Sequence, residues 1–340
     1  MQKRLFFSSF FCVISTILVL GLGGCQRGTS GSSSPIERTD FILNTFVSIK
    51  AYDCSDPSVL DGAIALCKEY ESRFSRTIET SEIYQLNHRS PEEQTFQLSA
   101  ETAELLDIAL RCCEQSDGAF DITLEPLSRL WDFTGDSPAV PNPAQIEEAV
   151  AVCGYENLHL DGTTLTFLSP DTTIDLGGIA KGYIADRLKE YLTEAGIQSA
   201  IINLGGNVLC IGSRPDGTPF RIGLQKPFAK RSETFETTAI RDLSVVTSGI
   251  YERYFTIDDR IYHHILDPDT GYPRESGLIS VTILSESSAE GDGLSTACFS
   301  LGLEKGMELI HSMEGVYACF IDENYDVHYS DGMETYLAKD

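Results

Sequence analysis

Between residues 201 and 284 the sequence is a succession of short segments rich in β-branched and aromatic residues, separated by links of turn length. The predicted strands are Ile201–Asn203, Val208–Ile211, Phe220–Leu224, Thr237–Ile240, Ser244–Thr247, Tyr254–Ile257, Ile261–Ile265 and Ile279–Leu284. Parallel strands need long crossovers, whereas antiparallel strands can be joined by tight turns. The pattern therefore predicts an α+β fold with mixed, mostly antiparallel sheets flanked by helices, rather than a doubly wound sheet.

The first 24 residues have the three-part layout of a secretory signal. Lys3 and Arg4 are basic, residues 5–22 are apolar, and small residues stand directly before Cys25. This arrangement predicts cleavage before Cys25 and attachment of a lipid to its thiol. An uncleaved membrane anchor and a plain signal peptide remain the alternatives.

The region after the signal divides into a tether and a domain. Residues 25–39 are rich in glycine and serine near their start, which predicts a flexible tether. Residues 40–337 contain no internal repeat and no low-complexity linker, and we predict that they form one compact domain. The protein would then be exported and held by its lipid at the extracytoplasmic face of the cell membrane.

The charge of the chain limits its partners. The formal charge is −26, and removing residues 1–24 with Lys3 and Arg4 would leave about −28. Such a surface repels polyanions, so we exclude a nucleic-acid partner. An anionic ligand would need local compensation from a lysine, from backbone N–H groups or from a divalent cation.

The ten cysteines do not form a metal motif. Cys12 falls in the signal and Cys25 is the predicted lipid site. The other eight lie mostly in apolar patterns, with no CxxC pair and no zinc-like Cys/His spacing. We expect buried free thiols, although an exported protein can also form disulfides.

The stretch TTIDLGGIAKGYIADRLKEYL at residues 172–192 indicates a corner between a strand and a helix. We predict a strand Thr173–Leu176 that carries Asp175, a glycine turn, and a helix from Ile179 with Lys181 in its first turn. Free N–H groups at a helix start attract anions, and a lysine there costs up to ~1 kcal/mol unless an anion is bound. The corner is either an anion pocket or a plain helix start with a solvated lysine. It does not match the standard nucleotide loops.

A second candidate site lies in EGDGLSTA at residues 290–297. Asp292 and Thr296 are four positions apart and can face one point if a helix begins near Gly293. A carboxylate and a hydroxyl are hard oxygen ligands that suit Mg²⁺ together with phosphate and water. The alternative is that Asp292 only caps the helix and Thr296 lies in its first turn.

Two further stretches contain side chains that could serve a site or the core. His263 and His264 are adjacent on a predicted strand, so at most one of them easily reaches a given site. Phe120 and Asp121 follow a helix end at Asp117–Gly118. They could clamp a planar ring, or they could fill the core and cap the helix.

Six motifs taken together resemble the ApbE family, the FAD:protein FMN transferases. They are GAFDIT at 118–123, IDLGGIAKGYIAD at 174–186, NLGGN at 203–207, TSGIYERYF at 247–255, HHILDPDTGYP at 263–273 and GDGLSTA at 291–297. Each motif is weak alone, but their order is specific, and the resemblance spans roughly residues 40–335. It implies a single ApbE-like, T-fold-like catalytic domain.

The resemblance also implies a reaction and a set of site residues. The enzyme would bind FAD and Mg²⁺ and transfer the FMN half of FAD to a threonine or serine hydroxyl of an acceptor flavoprotein, releasing AMP. The implied FAD contacts are Leu43, Asn44, Thr77, Ala119, Phe120, Asp121, Asp175, Lys181 and Ile265. The implied metal ligands are the Gly178 carbonyl, Asp292 and Thr296.

Two positions depart from the family pattern. Leu43-Asn44-Thr45 stands where the family often has Met-Gly-Thr, and Thr77 stands where a tyrosine often follows the first long helix. Lys181 and Asp292 are the implied catalytic groups at the phosphates, and the base is His264 or a nearby acid. A Mg²⁺-dependent FAD pyrophosphatase and a non-catalytic FAD-binding lipoprotein are the alternative functions.

Overall fold

The structure is a computed structural model that describes residues 34–135, 138–230 and 232–339. In chain order the strands are β1 (Ile36–Ile42), β2 (Thr45–Ala51), β3 (Thr95–Gln97), β4 (Leu158–Asp161), β5 (Thr164–Phe167), β6 (Ser199–Leu204), β7 (Asn207–Gly212), β8 (Phe220–Gln225), β9 (Thr234–Ile240), β10 (Ser244–Gly249), β11 (Tyr254–Ile257), β12 (Arg260–His263), β13 (Leu278–Ser285), β14 (Tyr317–Asp322) and β15 (Val327–Tyr329). The helices are α1 (Pro57–Phe74), α2 (Glu82–Asn87), α3 (Ala100–Gln115), α4 (Glu125–Trp131), α5 (Pro143–Val150), α6 (Ala180–Glu194), α7 (Ser288–Leu301) and α8 (Leu303–His311). The predicted signal and Cys25 lie outside the described residues.

The centre of the fold is an eight-stranded sheet with the order β1-β2-β6-β7-β10-β13-β14-β15. Its strand pairs are antiparallel throughout. The smaller sheets β3-β5-β4, β8-β9 and β11-β12 are antiparallel as well. The predicted α+β class with mostly antiparallel sheets is confirmed, and the eight predicted strands overlap β6 to β13.

The first hairpin extends the sheet beyond the predicted domain boundary. β1 and β2 are joined by a two-residue turn in which Leu43 and Asn44 have φ values of 57° and 54°. A turn with two positive φ angles matches the twist of antiparallel strands. Because β1 begins at Ile36, residues 36–39 belong to the sheet and not to the tether.

Helices cover one face of the large sheet. α1 packs against β1 and β2, α6 against β6 and β7, and α7 against β10 and β13. The β8-β9 hairpin lies over the other face, where Phe220 and Leu224 join Val245 and Leu284 in one apolar cluster. All eight residues of β13 are therefore buried.

Helices α6 and α7 cap each other. Asp186 of α6 accepts hydrogen bonds from the N–H groups of Ser288 at 2.9 Å and Ala289 at 3.0 Å, at the start of α7. Asp292 of α7 accepts the N–H of Gly182, in the first turn of α6, at 2.9 Å. The helices approach so closely that a Cβ at Gly182 would lie 2.1 Å from the Ser288 carbonyl oxygen. The pair is thus held in one register by two carboxylates.

The eight cysteines of the described residues are free thiols, as expected, and all but Cys153 are buried. Burial raises the pKa of Cys67 and Cys298 to about 12, so these thiols are inert. Within the described part of the chain, no helix is long and apolar enough to cross a membrane.

We expect Asp186→Ala to lower the free energy of unfolding by about 2–3 kcal/mol, because it leaves two buried N–H groups of α7 without an acceptor. Urea unfolding followed by circular dichroism measures this change. Glu194→Ala, at the exposed end of the same helix, is the control and should change stability by less than about 0.5 kcal/mol. Equal effects of the two variants would contradict the capping role.

Candidate functional site

A cleft of about 840 Å³ opens where α6, α7 and the turns of the large sheet meet. Small-molecule sites usually enclose about 300–1,000 Å³, so this volume suits a large organic ligand. The cleft brings together ten of the residues singled out in the sequence. They are Leu43, Asn44, Thr77, Asp175, Gly178, Lys181, His264, Ile265, Asp292 and Thr296.

Residues 172–176 form no strand and residues 177–179 form a turn, so the predicted strand is wrong. The side chain of Asn87 instead forms two hydrogen bonds with the backbone of Ile174. It accepts the N–H at 2.7 Å and donates to the carbonyl at 2.8 Å. The N–H of Asp175 donates to the Ile122 carbonyl at 2.7 Å. α6 then begins at Ala180, with no side chain capping it from position 179.

Lys181 and Asp292 meet on the cleft wall. The Nζ of Lys181 lies 3.5 Å from Oδ2 of Asp292 and 3.5 Å from the Gly177 carbonyl. Burial raises the pKa of Asp292, while Lys181, the Gly182 N–H and the Asn207 amide oppose that rise. The ammonium group is partly exposed, so it can face a ligand while it stabilises the carboxylate.

Asp292 and Thr296 lie one turn apart inside α7, and not at its start as predicted. The helix begins at Ser288, and the hydroxyl of Ser287 accepts the Glu290 N–H. The alternative of an N-capping Asp292 is therefore also wrong. The Thr296 hydroxyl is 2.9 Å from that of Ser248, which fixes it at the cleft.

The oxygen donors at this point fit a hard cation. The Asp292 carboxylate, the Thr296 hydroxyl and the Gly178 carbonyl belong to residues that line one cleft. Among the described residues, no group of three or more His, Cys, Asp or Glu side chains is placed to hold a metal. A site with one carboxylate suits Mg²⁺ that completes its shell with ligand phosphates and water, and it does not suit zinc.

His264 faces the cleft and His263 does not, as the alternation of the strand predicts. β12 ends at His263, which is buried and packs edge-on against Phe299. The Nδ1–H of His264 donates to the Arg253 carbonyl at 3.2 Å, which leaves Nε2 as an acceptor. Burial, and then the charge of Arg253, lowers the pKa of His264 below its ordinary value. The ring is therefore a neutral proton acceptor at physiological pH.

Asn207 is a cleft residue that sequence reasoning did not assign to the site. It is 2% exposed, and its Oδ1 accepts the Ser288 hydroxyl at 2.8 Å. Its Nδ2 makes no hydrogen bond of normal geometry among the described residues, although it lies close enough to the Asp292 carboxylate to help hold down the pKa of that group. A buried donor without a partner is unfavourable by about 1–3 kcal/mol, so this amide is suited to an acceptor that enters the cleft.

Arg76 is a second cleft residue that the sequence did not assign to the site. Its Nε lies 3.3 Å from Asp175 and its Nη1 3.5 Å from Glu125. Glu125 also accepts the Thr173 hydroxyl at 3.0 Å. These contacts join residues about 50 or 100 positions apart, and no local pattern signals them. They fix the Asp175 carboxylate at the cleft.

Three predicted FAD contacts are not among the residues that line the cleft. The Phe120 ring lies beneath Gly178, where a Cβ would come within 3.0 Å of it. Asp121 is buried and accepts hydrogen bonds from Thr123 and from the Tyr155 N–H at 3.0 Å. Ala119, Phe120 and Asp121 therefore support the floor of the cleft. Their direct contact with FAD stays a prediction.

Comparison with known proteins gives consistent results. A family model described as the ApbE family matches residues 43–321. The FAD:protein FMN transferase of Klebsiella pneumoniae is 36% identical over 288 residues, covering 84% of this chain and 89% of the relative. That of Treponema pallidum is 31% identical over 344 residues, covering 95% of each.

Two solved structures have the same fold. The ApbE protein from Thermotoga maritima has a TM-score of 0.81 at 32% identity, covering 90% of this chain and 100% of that chain. The flavin transferase ApbE from Vibrio cholerae has a TM-score of 0.80 at 27% identity, covering 89% of this chain and 99% of that chain.

The unpartnered amide of Asn207 leads to a stability prediction. Ser288→Ala should cost about 1–2 kcal/mol of unfolding free energy, because Oδ1 then loses its donor as well. Adding Asn207→Leu removes the remaining polar groups and should restore most of that loss. Urea unfolding of both single variants and the double variant measures the cycle. A double variant less stable than either single variant would mean that Nδ2 has a partner within the protein.

Proposed function

The chain belongs to the ApbE family, and on this basis we propose that it transfers the FMN half of FAD to a threonine or serine hydroxyl of an acceptor flavoprotein, releasing AMP. The observation that carries the proposal is the 3.5 Å approach of Lys181 to Asp292 in one large cleft. The ammonium group and a cation held by the carboxylate and its oxygen neighbours would stand side by side on one wall of the cleft, where both can contact a pyrophosphate.

The donor set supports a Mg²⁺ requirement. Gly178, Asp292 and Thr296 would hold the cation, which would supply neutralising charge to the phosphates of FAD. This local charge matters because the chain as a whole carries a formal charge of −26. Lys181 adds a second positive charge, and the Nδ2 of Asn207 offers a neutral donor to the same region.

The reaction needs one proton transfer and one displacement. The acceptor hydroxyl oxygen forms a bond to the phosphorus of the FMN half, and the bond from that phosphorus to the oxygen bridging to AMP breaks. The hydroxyl proton passes to Nε2 of His264. This nitrogen carries the lone pair of the ring, because the Nδ1–H donates to the Arg253 carbonyl. Lys181 stabilises negative charge as it builds on the leaving phosphate.

The proposal is tested by incubating the protein with FAD, Mg²⁺ and a candidate acceptor flavoprotein. We expect the acceptor to gain the mass of FMN less water, with one AMP formed for each acceptor modified. FMN and AMP without a change in acceptor mass would instead indicate the pyrophosphatase. Bound FAD without any AMP would indicate the non-catalytic carrier.

We also propose that the mature protein is exported and bound to the cell membrane through a lipid on Cys25. The support is the order of a basic start, an apolar run and small residues before the cysteine. Cys25→Ala should release the protein from the membrane fraction. A variant that stays in the membrane fraction would contradict the lipid attachment.

The metal assignment predicts a large loss on substitution of Asp292. Asp292→Ala should lower the rate of FMN transfer by about three orders of magnitude, since the charge that binds the cation is lost. Asp292→Asn keeps an oxygen for the Gly182 N–H, so it should lose activity equally with a smaller loss of stability. Calorimetric Mn²⁺ titration should find weaker binding in both variants. Unchanged metal affinity and transfer would overturn the assignment.

The protonation state of His264 predicts the pH profile. Because its pKa is lowered, the neutral, proton-accepting form persists below pH 6.5 and is lost only as the pH falls through the lowered value. The acid limb of kcat/KM for the acceptor should therefore lie below about pH 6. His264→Asn should lower the rate by about a hundredfold or more and remove that limb. An acid limb near 6.5 that disappears in the variant would contradict the lowered pKa.

A further inference from the structure

An exposed phenylalanine with a strained backbone lies at the mouth of the cleft. Phe228 is in the turn between β8 and β9, where the Ala229 N–H donates to the Lys226 carbonyl at 3.1 Å. Pro227 holds the second position of this turn, and Phe228, with φ of 58°, holds the third. Such a type II arrangement favours glycine at the third position.

The strain at Phe228 is not explained by packing in the core. A bulky residue in the left-handed region is unfavourable by about 1–2 kcal/mol. The ring is nevertheless 39% exposed, and it packs edge-on against Tyr251 at 5.8 Å and Tyr254 at 5.6 Å between centroids. An exposed ring held in a strained turn indicates a contact surface.

The neighbouring β11-β12 hairpin enlarges this surface. One of its faces is partly covered, because Phe255 and Tyr262 pack on the cluster around Trp131. The register places Tyr254 and Ile261 on the opposite face, where they are 43% and 38% exposed. Phe228, Tyr254 and Ile261 form an apolar patch, which we call the Phe228 rim.

The rim is flanked by positive charge in a strongly acidic chain. Lys226 and Lys230 stand two residues before and two residues after Phe228, and Arg253 precedes Tyr254; all three are exposed. Among the residues that the structure describes, none of these cations forms an ion pair. A partner with negative charge would therefore find free cations beside the apolar rings.

The rim continues directly into the cleft. Tyr251 and Arg253 line the cleft, and the Arg253 carbonyl accepts the hydrogen bond from His264. Gln225 also lines it and donates to the Ala229 carbonyl in the Phe228 turn at 3.3 Å. A chain lying on the rim would thus extend toward the proposed base.

We propose that the Phe228 rim docks an extended, acidic segment of the acceptor protein and guides its hydroxyl to His264. The inference rests on the proposed function and adds the partner surface. A second copy of this chain is disfavoured because two chains of charge −26 repel. An acidic peptide would pack its apolar atoms on the exposed rings and place its carboxylates beside the three cations.

The test uses two short synthetic peptides that each carry one threonine, flanked by aspartates in one and by asparagines in the other. Fluorescence anisotropy should find the acidic peptide bound about tenfold more tightly by the full-length protein, with the difference shrinking at high salt. Lys226→Gln with Lys230→Gln should largely abolish the difference. Lys305→Gln, an exposed lysine on α8, is the control and should leave it unchanged.

Phe228→Gly separates docking from folding. Glycine removes both the ring and the strain, so the melting temperature should stay close to that of the parent protein. The KM for an acceptor protein should rise about tenfold, while KM for FAD and kcat stay within about twofold. Phe228→Tyr should restore the acceptor KM, and Leu168→Ala, an exposed residue that does not line the cleft, should not change it.

The outcomes distinguish the two proposals. Equal binding of both peptides together with an unchanged acceptor KM in Phe228→Gly would overturn the docking surface and leave the transfer reaction intact. A raised KM for FAD would overturn it too, by assigning the rim to the flavin. If the parent protein forms no modified acceptor, the transfer proposal fails, and peptide binding still decides whether the rim docks an acidic segment.

Discussion

The site depends on the mutual capping of α6 and α7. Asp186 of α6 satisfies the first N–H groups of α7, and Asp292 of α7 satisfies an N–H of α6. Asp292 is buried and Asp186 is half-buried, so a shift of either helix would leave a charge or a buried donor without its partner, at a cost of about 1–3 kcal/mol or more. This capping fixes the position of α6 along α7, and that position places Lys181 beside Asp292. The same carboxylate thus serves the fold and the proposed metal site.

An anion bound in the cleft of this acidic protein needs local positive charge. The chain has a large excess of acidic groups, and the cleft is lined by three cationic side chains, Lys181, Arg76 and Arg253, and by five carboxylates, Glu71, Asp132, Asp175, Glu252 and Asp292. Arg76 is bound by Asp175 and Glu125, so it orders the wall and adds little free charge. A divalent cation at Asp292 would supply what the side chains do not.

Local patterns in the sequence were sufficient for the fold class and for the two separate stretches that contain Lys181 and Asp292, whereas their meeting at one cleft was implied by the resemblance to the ApbE family. Turn-length links predicted antiparallel strands, and the spacing of Asp292 and Thr296 predicted a shared helix face. The start of α7 was misplaced although Ser287 and Glu290 have the spacing of a capping box. The hydrogen bonds of Asn87 to the Ile174 backbone and the ion pair of Arg76 with Glu125 were not predictable, because they join segments that are distant in the sequence through tertiary packing.

In the proposed reaction, the pyrophosphate of FAD binds in one cleft against both Lys181 and a cation held by Asp292. A crystal structure of the protein with FAD and Mn²⁺, recorded with anomalous scattering, tests it most directly. We expect an anomalous peak beside Asp292 and Thr296, with the pyrophosphate in contact with both this ion and Lys181. A peak elsewhere, or a pyrophosphate that contacts neither group, would rule out this mode of FAD binding.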